Sequence, residues 1–283
     1  MNKKIKYTLM SNHILAVCTS LFVLHSTAHA DELVDTELLL LVDVSGSVDS
    51  GEYNLMMNGY SEAFRNLDIG NSVGAGATGA IAVSLMFWSA NDQQAVGVDW
   101  MKISDSSSAN SFADAIDATV RPFQSLTAIG SALTSGTQTF GLETGGQESN
   151  GFNSIVQIID ISGDGTDNDT PPAGDRALNV RNARDASIAS GVDMINGLPI
   201  GNAGGALEQY YQDNVIASSM PQEAFTQKVE TFDDVADSLE KKLFREIQAG
   251  AEVSTSSVPE PNSLSLIGLA GVMLFSHRKR RAY

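Results

Sequence analysis

The sequence predicts an α/β domain in which a doubly wound, mostly parallel sheet is flanked by helices. Three observations carry this. Nearly unbroken apolar runs of strand length recur along the chain, as expected of strands covered on both faces. Between them lie segments with apolar residues at helical spacing, and alternation of strand and helix is the pattern that builds such a sheet. A chain of 283 residues with 42% hydrophobic and 18% charged content can bury one core, or at most two.

The elements follow in order. Residues 36–42 hold Leu38, Leu39, Leu40, Leu41 and Val42 and read as a buried strand. Asp49-Ser50 then starts a helix with Tyr53, Met56, Met57, Tyr60, Ala63 and Phe64 at helical spacing. Residues 80–88 and 95–103 are the next two strands, joined by a turn at 90–93. Helices are expected over 111–120 and 129–140, a buried strand over 154–161, and an amphipathic helix over 176–190. A strand over 193–200 ends near Pro199, and 224–229 reads as the last strand. Thr231-x-x-Asp234 opens a final helix with Phe232, Val235, Leu239, Leu243 and Ile247 on one face. No internal repeat is visible.

Charge and the chain ends narrow the function. Thirty-four acidic against seventeen basic residues give a net charge of −17, which repels phosphate backbones and argues against nucleic-acid binding. Seven of the seventeen basic residues lie at the two ends, which leaves the middle more acidic still. Residues 1–30 contain Lys3, Lys4 and Lys6, no acid, an apolar run and a closing Ala28-His29-Ala30, and are read as a secretory signal peptide. The alternative is a membrane helix, interrupted here by Ser11, Asn12, His13 and Thr19. Lipidation of Cys18 is disfavoured by Val17 before it and by its depth in the apolar stretch.

At the other end, Val258-Pro259-Glu260-Pro261 precedes an apolar run over 264–275 and then His277-Arg278-Lys279-Arg280-Arg281. About twelve apolar residues are short for a span of roughly twenty, and a buried helix is the alternative. The adjacent cations favour a short transmembrane segment with its basic end in the cytoplasm. The order Pro-Glu-Pro, apolar run, basic end resembles the PEP-CTERM sorting signal of Gram-negative bacteria. That resemblance implies processing by an exosortase, transient anchoring in the inner membrane, and a final place in the periplasm, at the cell surface or in an extracellular polysaccharide matrix. The expected organisation is therefore signal peptide 1–30, folded domain 31–248, linker 249–257 rich in Ser, Thr and Ala, and sorting segment 258–283.

The only cysteine and all four histidines lie in these end segments, at 18, 13, 25, 29 and 277. The middle of the chain therefore has no thiolate nucleophile, no Ser-His-Asp triad, no disulfide and no Cys/His zinc site. Any metal there must be held by oxygen, which selects hard cations.

In a doubly wound sheet ligands bind at the carboxyl ends of the strands. Asp43-Val44-Ser45-Gly46-Ser47 follows the first strand directly. A loop leaving a strand for a helix can turn alternate side chains, Asp43, Ser45 and Ser47, towards one point where a cation can sit. Helix capping and turn formation are the ordinary alternative for these residue types.

The motif resembles the metal-ion-dependent adhesion site (MIDAS) of von Willebrand factor A (VWA) domains, whose fold is a Rossmann-like α/β sheet. The family's loop threonine matches Thr127 in Leu126-Thr127-Ala128-Ile129-Gly130, and its later aspartate matches Asp164 in Asp160-Ile161-Ser162-Gly163-Asp164-Gly165. With Asn196-Gly197-Leu198-Pro199-Ile200, these segments look like a bacterial VWA-like family of unassigned function, DUF1194. The resemblance covers about 31–248. It implies a divalent cation, Mg²⁺ first and Mn²⁺ or Ca²⁺ as alternatives, held by Asp43, Ser45, Ser47, Thr127 and Asp164. Neutral hydroxyls with two carboxylates leave such an ion an open position for a carboxylate of a protein or extracellular-polymer ligand.

The resulting expectation is an exported, metal-dependent binding or adhesion module and not an enzyme. The alternatives are a structural matrix component whose metal site only stabilises, and a metal-dependent hydrolase. Thr127 could instead cap a helix and Asp164 serve a turn. Asp160 is a carboxylate inside an apolar strand and must find a partner or a cation. The acidic stretch Asp164, Asp167, Asp169 reads as a solvated loop. Trp88 and Trp100 read as core residues or a glycan surface, and Tyr210-Tyr211 as a surface contact or packing under a helix.

Overall fold

The computed structural model describes residues 30–257 except 69, 147 and 202–204. The apolar runs of both termini, including the expected membrane segment, lie outside them. Among the described residues no helix is long and apolar enough to cross a membrane.

Six strands form one mixed sheet: β1 (Glu32–Asp43), β2 (Ile81–Trp88), β3 (Gln94–Ile103), β4 (Phe152–Gly163), β5 (Met194–Pro199) and β6 (Ala217–Ser218), in the order β3-β2-β1-β4-β5-β6. β1 runs parallel to β2 and β4, and β4 parallel to β5; the two edges, β3 and β6, are antiparallel. The central apolar run alternates between two cores. Leu38, Leu40 and Val42 pack under α1 (Ser50–Arg65), α2 (Ser106–Asp117) and α6 (Val235–Ser257). Leu39 and Leu41 pack under α3 (Ile129–Thr139), α4 (Arg176–Ala189) and α5 (Ala206–Asn214). All five side chains are fully buried, and each contributes roughly 1.5–3 kcal/mol by leaving water. This double coverage is why β1 reads as an unbroken apolar run.

Three expectations are corrected and one helix is added. α2 begins at Ser106, five residues before the expected start, because Asp105 caps it by accepting from Ser108 N at 2.7 Å; its first turn is all serine and shows no apolar period. Helix α5 has no counterpart among the expected elements, since only Leu207 and Tyr211 of its residues are buried hydrophobics. Residues 224–229 are not a continuous strand but meet β5 at two isolated parallel bridges, Gly197 with Thr226 and Ile200 with Val229. Pro199 lies between them and has no N–H to donate to that side, although its carbonyl accepts from Val229 N. Residues 249–257, read as a linker, continue α6, with Ala251 and Ser254 buried. The small residues there serve close approach: a Cβ on Gly250 would overlap the Thr36 hydroxyl of β1.

Asp160 finds its partner in α6. Lys242 Nζ lies 2.7 Å from Asp160 Oδ1 and also contacts Glu246, and all three side chains are fully buried. Asn196 Nδ2 donates to Glu246 Oε1 at 2.9 Å. One cation faces two carboxylates, so burial and the charge of Asp160 push Glu246 up to about 8. At the other pole, burial and neighbouring Glu143 push Glu37 up to about 8.

A pH dependence follows from these two groups. Their ordinary value is 4.5, so between that pH and about 8 the folded chain keeps protons that the unfolded chain has released. Stability is expected to fall as pH rises across this window. Urea unfolding at pH 5 and pH 8 checks it; equal or greater stability at pH 8 contradicts it.

Candidate metal centre

The parallel register brings the carboxyl ends of β1, β2 and β4 side by side, with Asp43 opposite Trp88. Asp43 is fully buried at the end of β1, and its Oδ1 accepts from Ser45 N at 2.7 Å. That bond turns the chain sharply. Gly46 N then donates to Ser125 O at 2.6 Å, and a Cβ on Gly46 would sit 3.1 Å from the same oxygen, so glycine permits the approach. Ser45 Oγ and Ser47 Oγ are 3.2 Å apart, and Ser47 Oγ donates to Asp164 Oδ1 at 2.6 Å. Asp43, Ser45, Ser47 and Asp164 thus form one chain of contacts.

Capping does not employ the two serines. The N-terminus of α1 is capped by Asp49, which accepts from Gly51 N and Glu52 N while Glu52 returns a bond to Asp49 N at 2.7 Å. Asp43 Oδ1 does perform turn chemistry, but its Oδ2 is buried with no hydrogen-bond partner among the described residues.

Thr127 lies before α3, whose N-cap is Ala128, so Thr127 is not the cap. Asn168 holds it on both sides: Thr127 N donates to Asn168 Oδ1 at 2.9 Å, and Asn168 N donates to Thr127 O at 2.8 Å. A Cβ on Gly165 would be 3.9 Å from Thr127 Oγ1, which puts the threonine hydroxyl beside the segment carrying Asp164. Asp167, read as part of a solvated loop, is instead buried and accepts from Gly130 N at 3.3 Å and Thr170 N at 3.0 Å. Its carboxylate ties the loop to the first turn of α3, where a negative charge is favoured.

Two residues that sequence reasoning passed over hold the site together. Arg121 Nη2 donates to the carbonyls of Ser45 at 2.7 Å, Val48 at 2.8 Å and Val44 at 2.9 Å, clamping the loop after β1 from outside. Ser89, at the end of β2, binds the loop before Thr127: its Oγ donates to Leu126 O at 3.1 Å and its carbonyl accepts from Ala128 N at 2.9 Å. Neither belongs to a spacing pattern, so no local signal marks them.

The electrostatics are those of an anion pair. Burial, and then the charge of Asp164, push Asp43 up to about 7. Burial raises Asp164 too, and Glu52 adds to it while the Ser47 hydroxyl and Arg121 oppose. Among the described residues no group of three or more His, Cys, Asp or Glu side chains could hold a metal; the donor set here is two carboxylates with hydroxyls, all oxygen. Beside Asp164 opens a cleft of about 490 Å³ with Leu55, Leu207 and Phe232 among its apolar walls and Glu52, Glu230 and Asp233 at its acidic ones.

The aromatic alternatives resolve towards packing. Trp88 is fully buried, and half-buried Trp100 donates from Nε1 to Thr139 O at 2.8 Å beside Phe140. Tyr211 is buried on α5 next to half-buried Tyr210.

Residues 33–251 match the family described as "Protein of unknown function (DUF1194)". No curated protein matches the chain. Among solved structures, the PilB minor pilin from Streptococcus sanguinis is similar at TM-score 0.52 and 12% identity, over 81% of this chain and 64% of that one. The pilus adhesin SpaC from Lactobacillus rhamnosus GG in its open conformation is similar at TM-score 0.50 and 15% identity, over 78% and 30%. Proximal thread matrix protein 1 from the mussel byssus, with a zinc-occupied MIDAS motif, is similar at TM-score 0.50 and 18% identity, over 77% and 49%. The chain spans less than two thirds of the length of each. At these identities the likeness is one of fold, a VWA-like six-stranded mixed sheet flanked by helices.

Proposed function

The chain belongs to the DUF1194 family, and from that premise we propose that it is an exported binding module whose grip on a protein or matrix ligand depends on a divalent cation. One observation carries the reading: Asp43, Ser45, Ser47 and Asp164 are linked at the ends of β1 and β4 while Asp43 Oδ2, buried, has no partner. An unsatisfied buried carboxylate oxygen is costly, and a hard cation is the species that an all-oxygen set of this kind satisfies. Asp43, Ser45, Ser47, Thr127 and Asp164 would hold it, with Mg²⁺ first and Mn²⁺ or Ca²⁺ as alternatives. When bound, the ion reverses the local sign of an acidic surface, so that a ligand carboxylate is attracted to it. The cleft beside Asp164 gives that ligand apolar walls to pack on.

The ends of the chain supply the address in this reading. Residues 1–30 direct export, and 258–283, with their Pro-Glu-Pro and basic cluster, are the substrate of an exosortase after transient anchoring in the inner membrane. The module then works in the periplasm, at the cell surface or in the matrix. A pilus adhesin, a minor pilin and a byssus matrix protein share the fold, and surface attachment is consistent with that company. A metal-dependent hydrolase is the lesser alternative, since residues 31–257 offer neither histidine nor cysteine as base or nucleophile.

Calorimetric titration of Mg²⁺, Mn²⁺ and Ca²⁺ into the purified protein, followed by protein and polysaccharide arrays with and without EDTA, tests the module. Saturable cation binding and EDTA-sensitive capture are expected; absence of both leaves a structural matrix component instead. Deleting Arg278 to Arg281 is expected to block processing and retain the chain with the inner membrane in cell fractionation, and unchanged processing contradicts the sorting assignment.

A further inference from the structure

Two buried oxygens, Asp43 Oδ2 and Tyr211 Oη, and the ring of Trp88 meet at Gly163. Asp43 stands at the end of β1, with Trp88 directly across on β2. Asp43 Oδ2, Trp88 Nε1 and Tyr211 Oη all belong to fully buried side chains, and none has a hydrogen-bond partner among the described residues. Gly163, the last residue of β4, shows where they converge: a Cβ built on it would lie 2.6 Å from Tyr211 Oη, 2.9 Å from Asp43 Oδ2 and 3.3 Å from the Trp88 ring. Only a residue without a side chain leaves that point open.

The chemistry of the groups decides what the convergence is for. A carboxylate oxygen accepts, and an indole N–H only donates; a phenol facing a carboxylate acts as the donor. Buried orphans of opposite kind at one point are unfavourable apart and favourable together. Asp43 Oδ1 is already tied to Ser45 N, so a second donor on Oδ2 fixes the plane of the whole carboxylate. α5 packs Tyr211 into the same core cluster as Trp88, with its ring against Gly197 of β5 and its hydroxyl at Gly163. Leu207, one turn earlier on α5, lines the cleft beside Asp164.

We propose that Tyr211 is a positioning residue of the metal centre: its hydroxyl faces Asp43 Oδ2 across the space that Gly163 keeps open, and in the cation-loaded protein it donates to the remaining lone pair of that oxygen and holds the carboxylate in its cation-binding orientation. This rests on the cation reading of the site. Partners of this type behind a metal ligand typically change affinity by about 10–100-fold when removed.

Mn²⁺ titrations of the wild-type protein, Tyr211→Phe and Tyr210→Phe by calorimetry, each paired with urea unfolding, provide the test. Tyr211→Phe is expected to weaken Mn²⁺ binding about 10–100-fold with unfolding unchanged, and Tyr210→Phe to bind as the wild type does. Wild-type affinity in Tyr211→Phe overturns the inference; a wild-type protein that binds no Mn²⁺ overturns the functional reading instead. Should Tyr211→Phe fail to fold, near-ultraviolet circular dichroism of the wild type decides. A tyrosine signal that changes on adding Mn²⁺ supports the role of Tyr211, and a silent tyrosine region removes it.

Discussion

Lys242→Met is expected to destabilise the protein by about 3–5 kcal/mol, the cost of leaving a buried charge without its partner. Among the described residues Lys242 is the one cation paired with Asp160 and Glu246, and none of the three side chains touches solvent. Methionine keeps much of the volume and removes the charge, so the loss reports electrostatics more than packing. The two carboxylates must then take up protons or repel each other in a medium of low dielectric. The destabilisation is therefore expected to be smaller at pH 5 than at pH 8. Replacing the cluster together, as Asp160→Asn, Lys242→Met and Glu246→Gln, is expected to recover most of the loss, because the ion cluster repays only part of its own desolvation. Urea unfolding of the two variants checks both statements. A Lys242→Met effect below about 1 kcal/mol, the scale of an exposed pair, would sink the assignment.

Asp43→Asn is expected to separate stability from binding. In the cation-free protein the Asp43 carboxylate is buried beside Asp164, with one oxygen unpartnered and its pKa pushed up to about 7. The amide is nearly isosteric and neutral, and its carbonyl oxygen can still accept from Ser45 N. Cation-free stability is thus expected to be unchanged or higher, as is common where a site has been kept for function at the expense of the fold. The response to cation is expected to move the other way. A ligand at a hundredfold its dissociation constant stabilises by about 2.7 kcal/mol, and the variant is expected to lose this stabilisation. Thermal unfolding of both proteins with and without Mg²⁺ reads the two effects at once. A variant that is less stable without cation and equally stabilised by it would show that Asp43 serves the fold alone.

Much of this was legible because it is local. The Asp-x-Ser-x-Ser loop, the Thr127 loop and the Asp164 turn each follow or precede an element whose period is plain, and parallel strands carry such loops to one end of a sheet. Elements with weak periods were misjudged. The serine turn of α2 has a capping residue but no apolar stripe, and α5 packs on two side chains. The 249–257 stretch shows how composition misleads: Ala249, Gly250 and Ala251 read as linker, yet smallness is what lets α6 lie against Thr36. The sorting signals expected at both ends fall outside the described residues.

The sequence by itself determined the α/β class, the excess of acid, the exclusion of histidine and cysteine chemistry from residues 31–257, and the residues from which a cation site could be assembled. These are properties of composition, period and short motifs, which need no knowledge of what meets what. Only the tertiary structure decided that Lys242 neutralises Asp160 from a helix 82 positions away, that Arg121 clamps the loop after β1, and that Tyr211 stands behind Asp43. Buried polar groups must be satisfied, but the partner is chosen by chain topology, and a side chain brought across a sheet by packing leaves no periodic trace in the sequence around it.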